Sequence, residues 1–146
     1  MIPDCIDNGG PWRVLPPGVH DATLTEVEKR FATSARRKLL FSGFMDGVAA
    51  LRKAGCRTIL LDGSFVTEKP LPGDFDACWY PMGVNDAKLD PIFLDFSDGR
   101  KKQKARFGGE FFPATALADG THFFPDFFQI DRHTGNAKGI IRLQFP

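Results

Sequence analysis

The amino-acid sequence predicts an α+β fold, with a small mixed sheet, helices packed on one side and a β-hairpin at the C-terminal end. Three observations support this class. Two helix patterns occupy residues 23–54, short apolar strand patterns follow them, and apolar segments at 124–130 and 139–145 flank a final turn. At 146 residues the chain has the length of one domain, which is predicted to span residues 1–146.

The helical region follows a Gly- and Pro-rich segment, residues 1–20, which is predicted to be an extended lead-in. Thr23 and Glu26 have the spacing of a capping box, in which each side chain bonds the backbone N–H of the other residue, so a first helix should begin here. A second helix is predicted for residues 34–54, with Gly55 as its C-terminal cap. Apolar residues at helical spacing give both helices a face for the core.

The strand region contains three predicted core strands. Residues 58–62 and 74–80 form the first two, and residues 110–112 form the third, after a Gly-Gly break. Asp and Pro at positions 90–91 signal a helix start, because Asp caps well and Pro suits the first helical position. The basic run at residues 100–106 is also expected to be helical.

Composition excludes several classes of protein. The net charge is only +1, so the chain has no global field that would attract nucleic acid. No apolar run approaches the ~18 residues of a membrane span, and the N-terminus does not resemble a signal peptide. Cys5, Cys56 and Cys78 form an odd set without metal-binding spacing, which favours a reducing, cytoplasmic location.

The most informative motif joins the first two strands. Residues i and i+2 of a strand point to the same face, so Asp74 and Asp76 are predicted to stand side by side. Two carboxylates this close repel each other unless a cation lies between them, and Mg²⁺ prefers such oxygen ligands. Before the nine-residue loop that precedes Asp74, Gly63 and Ser64 offer backbone N–H groups and a hydroxyl that could cradle a phosphate.

This pattern of apolar-Gly-Ser, nine residues, then Asp-apolar-Asp-apolar resembles the signature of the DNA polymerase beta-like nucleotidyltransferase superfamily, and in particular its minimal nucleotidyltransferases. The sequence from Gly63 to Pro70 is similar to that of an uncharacterised group of small bacterial nucleotidyltransferase-like proteins. The C-terminal segment from Phe127 to Ile141 is similar to the same group. The resemblance covers most of the chain, from about Gly18 to Phe145, and implies the nucleotidyltransferase fold.

The resemblance also implies a reaction, in which a nucleoside monophosphate moves from a nucleoside triphosphate, such as ATP, to a hydroxyl acceptor with Mg²⁺ as cofactor. Small relatives modify antibiotics, proteins or tRNA, and several belong to toxin–antitoxin or phage-defence pairs. The implied partners are therefore a nucleoside triphosphate, an acceptor that the sequence leaves open, and a second protein.

In the family a third carboxylate on the next strand completes the metal site and helps to activate the attacking hydroxyl. Glu110 and Asp95 both have apolar neighbours and compete for this role. Asp95 follows a helix-start signal, whereas Glu110 begins a strand pattern, so Glu110 is preferred. The predicted catalytic and metal-binding residues are Asp74, Asp76 and Glu110.

Four residues are predicted to bind the nucleotide. These are Gly63, Ser64, Thr67 and Lys69, the last two lying in the loop between the halves of the motif, where an ammonium group can reach a phosphate. Most of the basic run is expected to be a solvated helix face. Lys104 and Arg106, which are closest in sequence to the third strand, are predicted to face the site.

A different class of function remains open, namely a catalytically degenerate nucleotidyltransferase-like protein that acts by binding a partner. The phenylalanines of the C-terminal half are expected to be mainly core residues, but one face of that region could meet another protein. An RNA-binding module resting on the basic run is less favoured, because the net charge is small and no aromatic residues are interleaved with the basic ones.

Overall fold

The computed structural model describes residues 1–146 and shows an α+β protein with one five-stranded mixed sheet. In chain order the elements are β1 (Gly18–Asp21), α1 (Leu24–Phe31), α2 (Ala35–Lys53), β2 (Thr58–Asp62), β3 (Asp76–Trp79), α3 (Ser97–Phe107), β4 (Glu110–Pro113), α4 (Phe124–Phe127) and β5 (Gly139–Gln144). Short 3-10 helices lie at Ser64–Val66 and Pro91–Leu94.

The predicted helices form where their caps are encoded. Thr23 accepts a hydrogen bond from the Glu26 N–H at 3.1 Å, and the Glu26 side chain accepts one from the Thr23 N–H at 3.1 Å, so the capping box at α1 is confirmed. Ser34 caps α2 by accepting from the Arg37 N–H at 3.2 Å. Asp90 caps the 3-10 helix at Pro91–Leu94 in the same way. Local polar residues therefore set the helix starts.

The sheet has the strand order β1-β5-β2-β3-β4. β1 pairs with β5 in parallel, β2 pairs antiparallel with both β5 and β3, and β3 pairs with β4 in parallel. In this register Asp76 lies opposite Asp62 on one side and opposite Glu110 on the other. One end of the sheet therefore collects acidic residues from three adjacent strands.

The predicted C-terminal hairpin is wrong. Residues 124–130 form α4 and turns, and only an isolated bridge joins Ile130 to Ala137. Pro125 lacks an N–H for a strand ladder but suits the first turn of a helix, which explains α4. β5 instead inserts between β1 and β2, because its run of Ile140, Ile141 and Leu143 is buried on both faces, as a central strand requires.

The lead-in is also more structured than predicted. Its end forms β1, and Val14 makes isolated antiparallel bridges to Ile6 and to Thr67. The sheet therefore has five strands, where the sequence predicted three core strands and a hairpin. The N-terminal segment is tied to the loop that follows β2, and so contributes to the position of that loop.

The two faces of the sheet are covered differently. The larger core lies under α1, α2 and α3, where Phe44, Phe75 and Phe111 form edge-to-face and stacked pairs at 5.3–6.0 Å between ring centroids. The prediction of helices on one side holds for these three helices. The other face carries a smaller cluster that includes Leu60, Cys78 and Phe128 and is covered by the α4 region. None of the helices combines the length and the apolar composition that a membrane span requires.

Candidate metal centre

Three carboxylates meet where β3 and β4 begin. Asp76 is the first residue of β3, Asp74 lies two residues before it, and Glu110 is the first residue of β4, paired in register with Asp76. One oxygen from each of the three side chains lies within 4.8 Å of the others, a spacing that would allow all three to bind one metal ion. The structure therefore brings Glu110 next to the two aspartates.

Asp95, the competing third carboxylate, lies elsewhere. It follows the 3-10 helix at Pro91–Leu94, and its carboxylate accepts hydrogen bonds from the N–H and hydroxyl of Ser97. It also pairs with Lys102 at 3.3 Å. These local bonds lower the pKa of Asp95, whereas the pKa values of Asp74 and Asp76 are raised.

Gly63 allows the two halves of the motif to approach closely. Its φ of +91° is unfavourable for other residues, and a Cβ atom at this position would lie 2.8 Å from the backbone nitrogen of Asp76. Ser64 begins the 3-10 helix after Gly63, and its hydroxyl donates to the carbonyl of Asp74 at 3.4 Å. The Gly-Ser turn thus packs directly against the carboxylate segment.

The electrostatics of the trio favour a bound cation. Burial, together with the charges of Asp74, Asp62 and Glu110, raises the pKa of Asp76 to about 7. Burial, followed by the charge of Glu110, also raises the pKa of Asp74. No basic side chain forms an ion pair with Asp74 or Asp76. Partly buried, unpaired carboxylates at this distance are a donor set that suits a divalent metal.

A buried ion pair beside the trio was missed by sequence reasoning. Asp62 ends β2 opposite Asp76, and its carboxylate is paired with the ammonium group of Lys138. Both side chains are almost fully enclosed, with 8% and 12% of their surface exposed. Alternation along β2 could have indicated the orientation of Asp62, but Lys138 lay in the segment that was predicted to be a hairpin.

The basic run meets the trio through two residues. Arg100 pairs with one oxygen of Glu110, and Lys104 lies 3.6 Å from the other. The prediction was therefore right for Lys104 and wrong for Arg106, which pairs with Asp90 at 2.6 Å. Arg100 and Lys104 therefore both contact Glu110, whereas Arg106 is bound at the start of the 3-10 helix that Asp90 caps.

Residues 10–144 match the model of DUF6932, which is described as a family of unknown function. The chain belongs to the DUF6932 family. The match includes all three carboxylates and the Gly-Ser turn. No curated protein and no solved structure matches the chain.

The other predicted nucleotide-binding residues of this DUF6932 protein have structural contacts. The Thr67 hydroxyl donates to the carbonyl of Ser64 at 2.7 Å and accepts from the N–H of Lys69 at 3.1 Å, so it is committed within the loop. The Lys69 ammonium lies 4.8 Å from the centre of the Trp12 ring and is attracted to Asp74 at longer range. The structure does not bring either side chain into hydrogen-bond contact with the trio.

Arg37 on α2 holds this loop and was not identified from the sequence. Its buried guanidinium group donates to the carbonyls of Phe65 and Thr67 at 2.6 Å each, to that of Lys69 at 2.7 Å and to that of Phe31 at 3.3 Å. Burial lowers its pKa. The guanidinium group has no carboxylate partner and uses its N–H donors for these backbone carbonyls. It therefore fixes the segment between Gly63 and Asp74 in this DUF6932 protein.

Replacing Arg37 with Lys should lower the free energy of unfolding by about 2–4 kcal/mol, because an ammonium group cannot serve four carbonyls in this planar geometry. Urea unfolding followed by circular dichroism would measure the loss. Lys38→Ala, one residue further along α2 and exposed, is the control and should change stability by less than about 0.5 kcal/mol. Equal stability of the two variants would contradict the structural role of Arg37.

Proposed function

We propose that this protein is a Mg²⁺-dependent nucleotidyltransferase that moves a nucleoside monophosphate from a nucleoside triphosphate to a hydroxyl acceptor. The observation that carries the proposal is the meeting of Asp74, Asp76 and Glu110 within 4.8 Å at the ends of two neighbouring strands. The adjacent Gly63-Ser64 turn supports it, because phosphate groups need donors close to the metal site.

The arrangement of the strands also supports the proposed nucleotidyltransferase function. A small mixed sheet in which an antiparallel strand pair is followed by a parallel partner, with acidic residues on consecutive strands, agrees with the resemblance to minimal nucleotidyltransferases. We infer that the chain has a nucleotidyltransferase fold with its helices mainly on one face. The Gly-Ser motif and the Asp pair then have the relative positions that this reaction requires.

Each residue of the site has a separate role in the proposal. Asp74 and Asp76 hold the metal ion, and Gly63 and Ser64 contact the outer phosphates of the nucleotide. A bound Mg²⁺ neutralises negative charge on the triphosphate. Glu110 lies beside the pair on β4, where it supplies a further oxygen ligand for the metal ion and orients the acceptor hydroxyl or accepts its proton. Lys104 and Lys138 surround the carboxylates with positive charge, which favours a polyphosphate over a neutral substrate.

Calorimetric titration with Mg²⁺, then with each of the four nucleoside triphosphates in its presence, tests the proposal. We expect at least one Mg·nucleotide to bind, and binding to be lost when Mg²⁺ is replaced by a chelator. Failure of all four to bind in the presence of Mg²⁺ would refute the enzymatic function.

Replacing Glu110 with Gln should reduce nucleotidyl transfer by about 100-fold or more while nucleotide binding stays within a few-fold of the parent, because Asp74 and Asp76 still hold the metal ion of the nucleotide and only the acceptor hydroxyl loses its carboxylate. Asp95→Asn is the matched control, since Asp95 is an acidic residue of the same region that lies outside the trio. Transfer can be measured as metal-dependent loss of pyrophosphate from labelled nucleotide. A normal rate for Glu110→Gln would remove Glu110 from the proposed mechanism.

A second candidate function is the binding of a partner protein, as in a toxin–antitoxin or phage-defence pair. Apolar side chains around α4 are unusually exposed, with Phe123 at 50%, Phe127 at 40% and Ile130 at 40%. A patch of this kind is typical of interaction surfaces. This reading would be favoured if the protein bound no nucleotide and Phe127→Ser abolished a complex formed in cells without lowering thermal stability.

A further inference from the structure

We propose that Arg100 binds the phosphates of the substrate, and that it is held on Glu110 until a divalent metal ion takes that carboxylate. The inference rests on the proposed function, and it adds a residue that the resemblance does not assign. It also adds an order of events, in which the metal binds before Arg100 turns to the substrate.

The first observation is competition for one carboxylate. Glu110 belongs to the trio, yet it is the only member that forms ion pairs, with Arg100 on one oxygen and Lys104 on the other. A metal ion needs the same lone pairs that these cations occupy. Binding of a metal to the trio must therefore weaken the contact of Arg100 with Glu110, and the positive charge of the metal repels the guanidinium group further.

The second observation is unused hydrogen-bonding capacity. Only Nε of Arg100 donates to Glu110, and the two terminal nitrogens have no hydrogen-bond partner. The side chain is 31% exposed, and its guanidinium carbon lies 5.2 Å from the centre of the Phe112 ring. The two terminal nitrogens of a guanidinium group can donate to two oxygens of one phosphate, so Arg100 has a pair of unused donors beside the metal site.

The third observation is the backbone that carries Arg100. Asp98, Gly99 and Arg100 have φ values of 51°, 64° and 62°, so three consecutive residues are left-handed within α3. Asp98 and Gly99 are exposed, and a Cβ atom at Gly99 would meet nothing within 4 Å. The open space around Gly99 leaves room for the backbone before Arg100 to turn, while Gln103 and Phe107 keep the remainder of α3 in the core.

The balance of charge around the trio determines whether Arg100 binds Glu110 or the substrate phosphates. Without metal, the trio has an excess of negative charge, and Arg100 and Lys104 compensate for it at Glu110. Once a divalent cation supplies that compensation, the strongest anion near Arg100 is the polyphosphate bound to the metal. The same guanidinium group then changes from a counter-ion of Glu110 to a ligand of the substrate.

The test measures binding of Mn²⁺ alone, by electron paramagnetic resonance, and of Mg·tripolyphosphate, by calorimetry, to the full chain. Loss of the competing ion pair should make Arg100→Ala bind Mn²⁺ about two- to fivefold more tightly than the parent. Loss of the pair of donors should make the same variant bind Mg·tripolyphosphate at least about tenfold more weakly. Lys101→Ala, its exposed neighbour without an ion pair, should match the parent in both titrations.

Arg100→Lys separates charge from shape. It should bind Mn²⁺ like the parent, because a cation remains on Glu110, but bind Mg·tripolyphosphate more weakly because the planar pair of donors is lost. Melting curves of all variants establish that they are folded. If Arg100→Ala bound tripolyphosphate as tightly as the parent, or bound Mn²⁺ more weakly, the proposal that Arg100 moves from Glu110 to the substrate phosphates would be refuted. If the parent bound neither probe, the proposed function would fail, and the role of Arg100 with it.

Discussion

Replacing Asp76 with Asn should abolish metal binding and make the metal-free protein more stable at neutral pH. The carboxylate is central to the trio, so its loss should reduce Mg²⁺ affinity by at least about 100-fold. Burial and three neighbouring carboxylates oppose its ionisation, and Asn removes that cost. Calorimetry with Mg²⁺ and urea unfolding without Mg²⁺ would measure the two effects.

The gain in stability should depend on pH. Because the folded-state pKa of Asp76 is raised from 3.8 to about 7, its favourable contribution is complete below about pH 4 and is lost as the pH rises through 7. The variant should therefore match the parent near pH 4 and exceed it by up to about 4 kcal/mol near pH 8. Mg²⁺ should raise the stability of the parent at pH 8 and leave the variant unchanged.

Two results would contradict this account of Asp76. One is Mg²⁺ affinity in Asp76→Asn equal to that of the parent, which would place the metal elsewhere. The other is a stability difference that does not grow between pH 4 and pH 8, which would mean that Asp76 is not under charge repulsion in the metal-free protein.

Replacing Gly63 with Ala should destabilise the protein by about 3 kcal/mol or more. The new Cβ would lie 2.8 Å from the backbone nitrogen of Asp76, at a residue whose φ is +91° and ψ is −179°. Neither the backbone of β3 nor that of the turn can move without separating the carboxylates, so metal affinity should fall with stability. Thermal unfolding and Mg²⁺ titration would record both.

Gly73→Ala is the control for the glycine substitution. Gly73 lies in the same loop, one residue before Asp74, and a Cβ atom there would meet nothing within 4 Å. This variant should differ from the parent by less than about 1 kcal/mol. If Gly63→Ala were as stable as Gly73→Ala, the Gly-Ser turn would not be closely packed against β3.

Much of the candidate site could be predicted because its information is local. The side-by-side placement of Asp74 and Asp76 depends on their spacing alone, and Glu110 was favoured by the strand pattern that it begins. The helix starts at Thr23 and Ser34 follow from capping residues in the same way. Each of these features needs only a few neighbouring residues to specify it.

The features of the fold and the site that could not be predicted depend on contacts between residues far apart in the sequence. Lys138 reaches Asp62 across 76 residues of sequence, and Arg37 reaches Lys69 across 32. Arg106 is closer in sequence to β4 than Arg100 is, but it pairs with Asp90, and Arg100 pairs with Glu110. The hairpin prediction is wrong because β5 pairs with β1 and β2, which buries its apolar residues on both faces of the sheet, and does not pair with the preceding segment of the chain.

The position of β5 has a consequence for how this protein acquires its fold. β5 joins β1 to β2, and Asp21 meets Arg142 across 121 residues of sequence, so the sheet closes only after distant parts of the chain have met. Until β5 is in place, β2 presents an unpaired edge, and its apolar residues lack a neighbouring strand on that side. Such long-range pairing slows folding, and it leaves this edge open to aggregation until β5 has paired.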